Sequence, residues 1–131
     1  MRYYYLTKKD LLNIHEEALK TGGIDGLVSE GMLELALGTP QTSLLGTEVY
    51  DTLFRKAAAI MHEIIKLTPF VDGNKRTAYL AADTFLRVNG CEMRTSLQDA
   101  IDTCLKTSIC SINIVEIADW IQTNSMSRRI G

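Results

Sequence analysis

Between Thr68 and Asn74 the chain has to stop one helix and start another within a few residues. Upstream, Leu53, Phe54, Ala57, Ile60, Met61, Ile64 and Ile65 recur at the three- and four-residue spacing of a helical face, from about Asp51 to Leu67. Pro69 ends that run, because a proline pushes the residue before it out of helical geometry. Downstream, Ala78, Leu80, Ala81, Ala82, Phe85 and Leu86 mark a second helix from about Asn74 to Asn89, stopped by Gly90. Its small residues allow close approach by neighbours on several sides. The pattern predicts this second helix as the central, most buried one.

The remaining punctuation is also helical. Thr7 with Asp10 three residues on reads as a capping box, and Leu11, Ile14, His15, Ala18 and Leu19 follow until Gly22-Gly23. Ser29 opens a shorter helix closed by Gly38 and Pro40, and residues 41–50 read as a loop. Ser96 with Asp99 and Asn113 with Glu116 start two more helices, the last holding Ile117, Trp120 and Ile121. Only Arg2 to Leu6 has a β-prone, extended look. The expectation is an all-α fold over residues 1–131 as one domain. It is a small bundle of about six helices around a central buried helix, with a short extended segment at the N-terminus and a flexible tail over 123–131.

Composition limits the function classes. In 131 residues there are 14 basic and 16 acidic side chains, a net charge of −2, so no broad surface for nucleic acid is expected and any anion site must be local. Cys91, Cys104 and Cys110 form no Cys-x-x-Cys pair and read as reduced thiols rather than a disulfide frame or metal site. No apolar run approaches membrane-spanning length and Met1 to Leu6 lacks a signal-peptide core, so the expected location is cytoplasmic, with no membrane partner.

The break between the two long helices carries the chemistry. A helix start attracts anions through its free N–H groups and dipole. Gly73 and Asn74 can form such a nest, Lys75 and Arg76 add full charges, and Asp72 can hold Mg²⁺ against phosphate oxygens. The plainer alternative is a turn in which Asn74 caps a helix and the charges are solvated. Neither His15, in an apolar helical stripe, nor His62, six residues before Thr68, reads as catalytic; both read better as packed histidines.

The segment Thr68-Pro69-Phe70-Val71-Asp72-Gly73-Asn74-Lys75-Arg76-Thr77-Ala78 resembles the motif of the Doc (death-on-curing) branch of the Fic family, His-x-Phe-x-Asp-x-Asn-Lys-Arg-Thr-Ala. Tyr5-Leu6-Thr7, Leu11-Leu12-x-Ile14-His15, Gly22-Gly23, Leu33-Glu34-x-Ala36-Leu37, Lys56-Ala57-Ala58, Phe85-Leu86-x-x-Asn89-Gly90 and Ile117-Ala118-x-Trp120 extend the likeness from about Tyr3 to Ile121. The resemblance implies a helical Fic fold, with ATP and Mg²⁺ as cofactors. Lys75 stands where the AMP-transferring Fic enzymes have Gly, which implies transfer of the γ-phosphate to a protein hydroxyl, with AMP transfer as the runner-up. It implies a toxin whose target is a translation factor, elongation factor Tu in the branch's founding toxin, and whose inhibitor is an antitoxin of the prevent-host-death type. By the same resemblance, Asp72 would bind Mg²⁺, Gly73, Asn74, Lys75 and Arg76 would hold phosphate, Phe70 would anchor the loop and Thr77 would brace the helix.

One letter departs from the motif. Thr68 stands at the position of the family's catalytic histidine, the general base, and an unactivated hydroxyl has no useful basicity near neutral pH. Two functions stay open on the sequence: a Doc-type protein kinase toxin impaired at its base, or a Fic-fold binding protein that holds an antitoxin, nucleotide or protein partner without turnover. Thr68 itself reads either as natural or as installed. An RNA-cleaving toxin fits poorly with the acidic balance.

Overall fold

The helices begin where a side chain can occupy the first free backbone N–H groups, and one does not. In the computed structural model, which describes residues 2–127, Thr7 and Asp10 close a reciprocal capping box at the start of α1 (Lys8–Ala18). Ser29 caps α2 (Glu30–Gly38) through the N–H of Met32, and Thr52 caps α3 (Leu53–Leu67) through that of Arg55. Ser96 caps α5 (Leu97–Ser108), and Asn113 with Glu116 forms a second capping box on α6 (Ile114–Thr123). Helix α4 (Asn74–Val88) is the exception. Its N-cap is Gly73, at φ 76°, and no side chain fills the cap.

Helix accounts for 62% of the structure and no strand exceeds three residues, so the all-α expectation holds. The core forms where α3 and α4 pack on each other, with α6, α2 and α5 closing on α3 and α1 closing on α4. The expectation that α4 is the most buried helix is corrected. Six consecutive residues of α3, Lys56 to Met61, are buried, so α3 is covered all round. Ala57, Ala58 and Ala59 let neighbours approach on every side. Helix α4 buries only one face, through Thr77, Ala78, Ala81, Ala82, Phe85 and Leu86, and starts at the surface with a polar first turn.

Lys56 was not expected inside. Its side chain is fully buried; Nζ donates to the Pro40 carbonyl and to Glu48 Oε1, both at 3.0 Å, and lies 5.5 Å from the ring centroids of Tyr3 and Tyr5. A buried ammonium needs such a shell, since unpaired charge inside a protein is costly. The lysine thereby ties the segment before α3 onto the core. That segment was expected as loop; it contains a hairpin pairing Ser43–Leu44 (β1) with Thr47–Glu48 (β2).

Residues 2–6 belong to no strand, and Tyr4 is held at both its N–H and its carbonyl by the side chain of Asn89, which caps the end of α4. Within the expected flexible tail, Thr123 completes α6 and Ser125–Ser127 (β4) pairs antiparallel with Cys91–Met93 (β3). Residues 128–131 of that tail lie outside the described residues.

Ala82 tests the packing. It is fully buried within the core cluster, so Ala82→Leu should cost about 1–3 kcal/mol through overpacking. Urea denaturation reads this as a lower midpoint, and an unchanged midpoint would contradict the close packing described.

Candidate functional site

The link between α3 and α4 has no regular ladder, yet its backbone is held from three sides. Val28 and Ser29 donate their N–H groups to the Pro69 carbonyl at 2.7 and 3.2 Å, and Val71 N–H donates to the Gly26 carbonyl at 2.9 Å. Asn74 closes the loop on itself. Its Oδ1 accepts from Phe70 N–H at 3.1 Å and its Nδ2 donates to the Phe70 carbonyl at 2.9 Å. From below, His15 stacks on Phe70 with ring centroids 3.7 Å apart and planes 5° from parallel. Its Nε2 lies 2.9 Å from the Asp72 carbonyl. Phe70 is buried, so the expected anchoring role is met.

Above this floor opens a cleft of about 500 Å³, and all six residues singled out in the sequence, Thr68 and Asp72 to Arg76, line it. The elements give each a defined place. Gly73 turns the chain in left-handed geometry, which a residue without Cβ adopts at no steric cost. The N–H groups of Asn74, Lys75 and Arg76 are the first of α4, and the N-cap glycine offers them no side-chain acceptor. The Asp72 carboxylate is exposed. Its Oδ2 accepts from Ile24 N–H at 3.1 Å and its Oδ1 from Gly73 N–H at 2.8 Å. These two backbone hydrogen bonds, the Ile24 one foremost, hold its pKa below the ordinary carboxylate value. Asp72 is therefore a fixed anion at neutral pH with acceptor capacity left on both oxygens.

The two cations are not equivalent. Lys75 is exposed and, among the described residues, its ammonium has no hydrogen bond or ion pair. Arg76 has already committed Nη1 to the Ala18 carbonyl, at 2.8 Å, and to Thr21 Oγ1. It clamps the end of α1 and also lines the cleft. The side chain of Asn74 is likewise occupied by Phe70, so any contribution it makes to an anion is through its backbone. Sequence reasoning missed both commitments because the partners are 58 and 55 residues away for Arg76, and backbone atoms for Asn74.

Thr68 ends α3 at φ 42°, ψ 61°, with its N–H donating to the Ile64 carbonyl at 3.0 Å and its side chain exposed at the cleft. Left-handed geometry is rare for a β-branched residue and far more usual for Gly, Asn, Asp or His. His62 pairs with Glu63 at 3.1 Å and does not line the cleft; His15 lies under it, not in it. No imidazole stands at the cleft wall. Of the cysteines, Cys104 is buried, and burial pushes its thiol up to about 11 despite Lys75 nearby, so no thiolate nucleophile arises there.

The arrangement suits a phosphate-bearing ligand with a hard cation. Among the described residues, three helix N–H groups and one ammonium without a partner are donors for phosphate oxygens. A single ionised carboxylate beside them matches Mg²⁺, which is held through one or two carboxylates and substrate phosphates and keeps several waters. No group of three or more His, Cys, Asp or Glu side chains among the described residues could cage a metal ion.

Residues 5–86 match the Fic/DOC family. The chain is 38% identical over 89 residues to a protein called toxin Doc from Mycolicibacterium smegmatis, covering 68% of this chain and 67% of that one. It is 28% identical over 119 residues to protein kinase doc of Escherichia phage P1, covering 90% and 93%. No helix among the described residues is long and apolar enough to cross a membrane.

Two outcomes test the site's physics without any ligand. Strain at a left-handed non-glycine residue costs about 1–3 kcal/mol, so Thr68→Asn should raise stability by roughly 1 kcal/mol in urea denaturation; a fall would contradict the strain. Asp72, with its pKa lowered in the fold, stabilises fully above the ordinary value of 3.8 and loses this as pH falls through the folded value. Asp72→Asn should therefore flatten the acid limb of the stability profile below about pH 4. An acid limb as steep as the parent's would show that the two backbone hydrogen bonds do not hold the charge.

Proposed function

The chain belongs to the Fic/DOC family, and from that premise we propose that it is a Doc-type toxin whose site transfers the γ-phosphoryl group of Mg·ATP to a protein hydroxyl, impaired by Thr68. The observation that carries this reading is the uncapped start of α4 beside an ionised Asp72 and an unpaired Lys75. The relative from phage P1 is named a protein kinase. The proposed target is elongation factor Tu, and the proposed inhibitor is an antitoxin of the prevent-host-death type.

Phosphoryl transfer depends mainly on positioning and on neutralising charge at the transferred group. When bound, Mg²⁺ would supply charge that offsets the phosphate. Asp72 would hold it, kept in place by the N–H groups of Ile24 and Gly73. The N–H groups of Asn74, Lys75 and Arg76 would receive phosphate oxygens. The Lys75 ammonium would add the one full charge free to follow the ligand, and Arg76 would supply the N–H groups not used at α1. The proton of the attacking hydroxyl finds no imidazole among the described residues that line the cleft. Thr68 occupies the cleft edge where the family motif has histidine, and general-base help is typically worth about 10²–10⁴-fold.

A second reading is a Fic-fold protein that binds nucleotide, antitoxin or another partner without turnover. Its supporting observation is the absence of any imidazole lining the cleft among the described residues.

The two separate experimentally. Thr68→His should raise phosphoryl transfer at least about 10²-fold, with label passing from γ-labelled ATP and not from α-labelled ATP. A Lys75→Ala, Arg76→Ala double variant should lose Mg·ATP binding by calorimetry. Binding unchanged in the double variant would remove the phosphate site from α4. Transfer of α-label would make the protein an AMP transferase. Intact binding with no transfer of either label to an authentic target would establish the binding protein.

A further inference from the structure

His15 is 3% exposed and sits 57 residues from the loop it touches. A buried polar ring is costly unless hydrogen-bonded, and Nε2 has one partner, the Asp72 carbonyl at 2.9 Å. A carbonyl only accepts, so Nε2 carries the hydrogen. The nearest acidic group to Nδ1 is Asp25, at 3.9 Å, beyond hydrogen-bond reach. The ring is also stacked on Phe70, and a Cβ added at Gly73 would lie 3.8 Å from His15 Cδ2 and Nε2. The imidazole therefore lies against three parts of the loop in turn: the Phe70 ring, the Asp72 backbone and the Gly73 turn.

We infer that His15 is a positioning residue: its Nε2–H fixes the Asp72 carbonyl, and through it the direction of the Asp72 carboxylate and the start of α4. Asp72 is exposed and flanked by Gly73, the most flexible residue type, so side-chain hydrogen bonds alone leave its backbone free to rotate. The His15 bond removes that freedom. The stack on Phe70 holds the ring so that the donor points upward into the loop. An apolar core residue could supply the stack but not the donor, and this separates a positioning role from simple packing. The functional half of the inference rests on the magnesium reading of Asp72.

Two variants separate donor from bulk. His15→Phe keeps a stacking ring and removes the donor; His15→Gln keeps a donor near the Nε2 position and removes the ring. Outer-shell partners of metal ligands typically tune affinity by about 10–100-fold. By calorimetry with Mg²⁺ and ATP, His15→Phe should bind at least about tenfold more weakly, and His15→Gln should recover most of that loss. Equal losses in both variants, or parent-like binding in His15→Phe, would overturn the positioning role. Nitrogen-15 NMR of the ligand-free parent should show His15 as the Nε2–H tautomer, and amide exchange at Gly73 and Asn74 should speed up in His15→Phe. The Nδ1–H tautomer, or exchange unchanged in His15→Phe, would also overturn it. If the parent binds no Mg·ATP, the proposed function fails on its own, and tautomer and exchange still decide the role of His15.

Discussion

The pair of hydrogen bonds between the Asn74 side chain and the Phe70 backbone is the constraint on which the rest depends. A chain leaving one buried helix and entering the next must satisfy several backbone groups with no ladder available. Asn74 satisfies both polar groups of Phe70 and shortens the link to a closed turn. Closure pushes the Phe70 ring into the core, where His15 meets it, and leaves the Pro69 and Val71 backbone groups facing outward to bond residues 26–29. The N-cap at Gly73 brings no side-chain acceptor to the helix that follows. The first N–H groups of α4 are left for something outside the fold.

The same closure explains the backbone strain. Thr68 and Gly73 stand at the two ends of the link, and both are left-handed. At Gly73 this carries no steric penalty. At Thr68 it does, by about 1–3 kcal/mol, a sizeable share of a typical domain's 5–15 kcal/mol. Packing of α3 on α4 through their alanines fixes where both helices end, and the link has to meet those ends whatever residue occupies position 68. A histidine adopts this geometry more readily than a β-branched residue. The backbone at this position thus has a shape that Gly, Asn, Asp or His adopts more readily than the threonine present.

How legible each part was depended on the range of the interactions that form it. The caps at Thr7, Ser29, Ser96 and Asn113 were readable because donor and acceptor are three residues apart. The six cleft residues were readable because they are nearly contiguous. Lys56 was not. Its burial depends on Pro40, Glu48 and two tyrosines more than fifty residues away, and helical periodicity alone assigns a lysine outward. The β1–β2 hairpin was missed because its turn places Leu45 and Gly46 at positive φ, whereas Asn-Gly or Asp-Gly is the usual signal for such a turn. The β3–β4 pair joins segments more than thirty residues apart, which no local pattern encodes. The likeness of His15 to a core histidine was correct as far as burial goes, but the carbonyl it serves was invisible in sequence.

The electrostatics of the cleft follow from which side chains the fold has already used. A chain of net charge −2 can still attract an anion where the helix dipole, Lys75 and part of Arg76 converge. Asp72 works against that attraction. Its carboxylate is held ionised at the same mouth, and a second anion beside it is repelled unless a cation stands between them. Among the described residues no cation is hydrogen-bonded to Asp72: Arg76 acts on it only through its charge, with Nη1 turned to the end of α1, and the carboxylate's hydrogen bonds come from backbone N–H groups. A carboxylate kept charged, fixed from both sides and paired with no side-chain cation among the described residues is better balanced when the incoming anion brings its own counter-ion. Under the proposed function, a metal–phosphate pair would meet this balance and a bare phosphate would not.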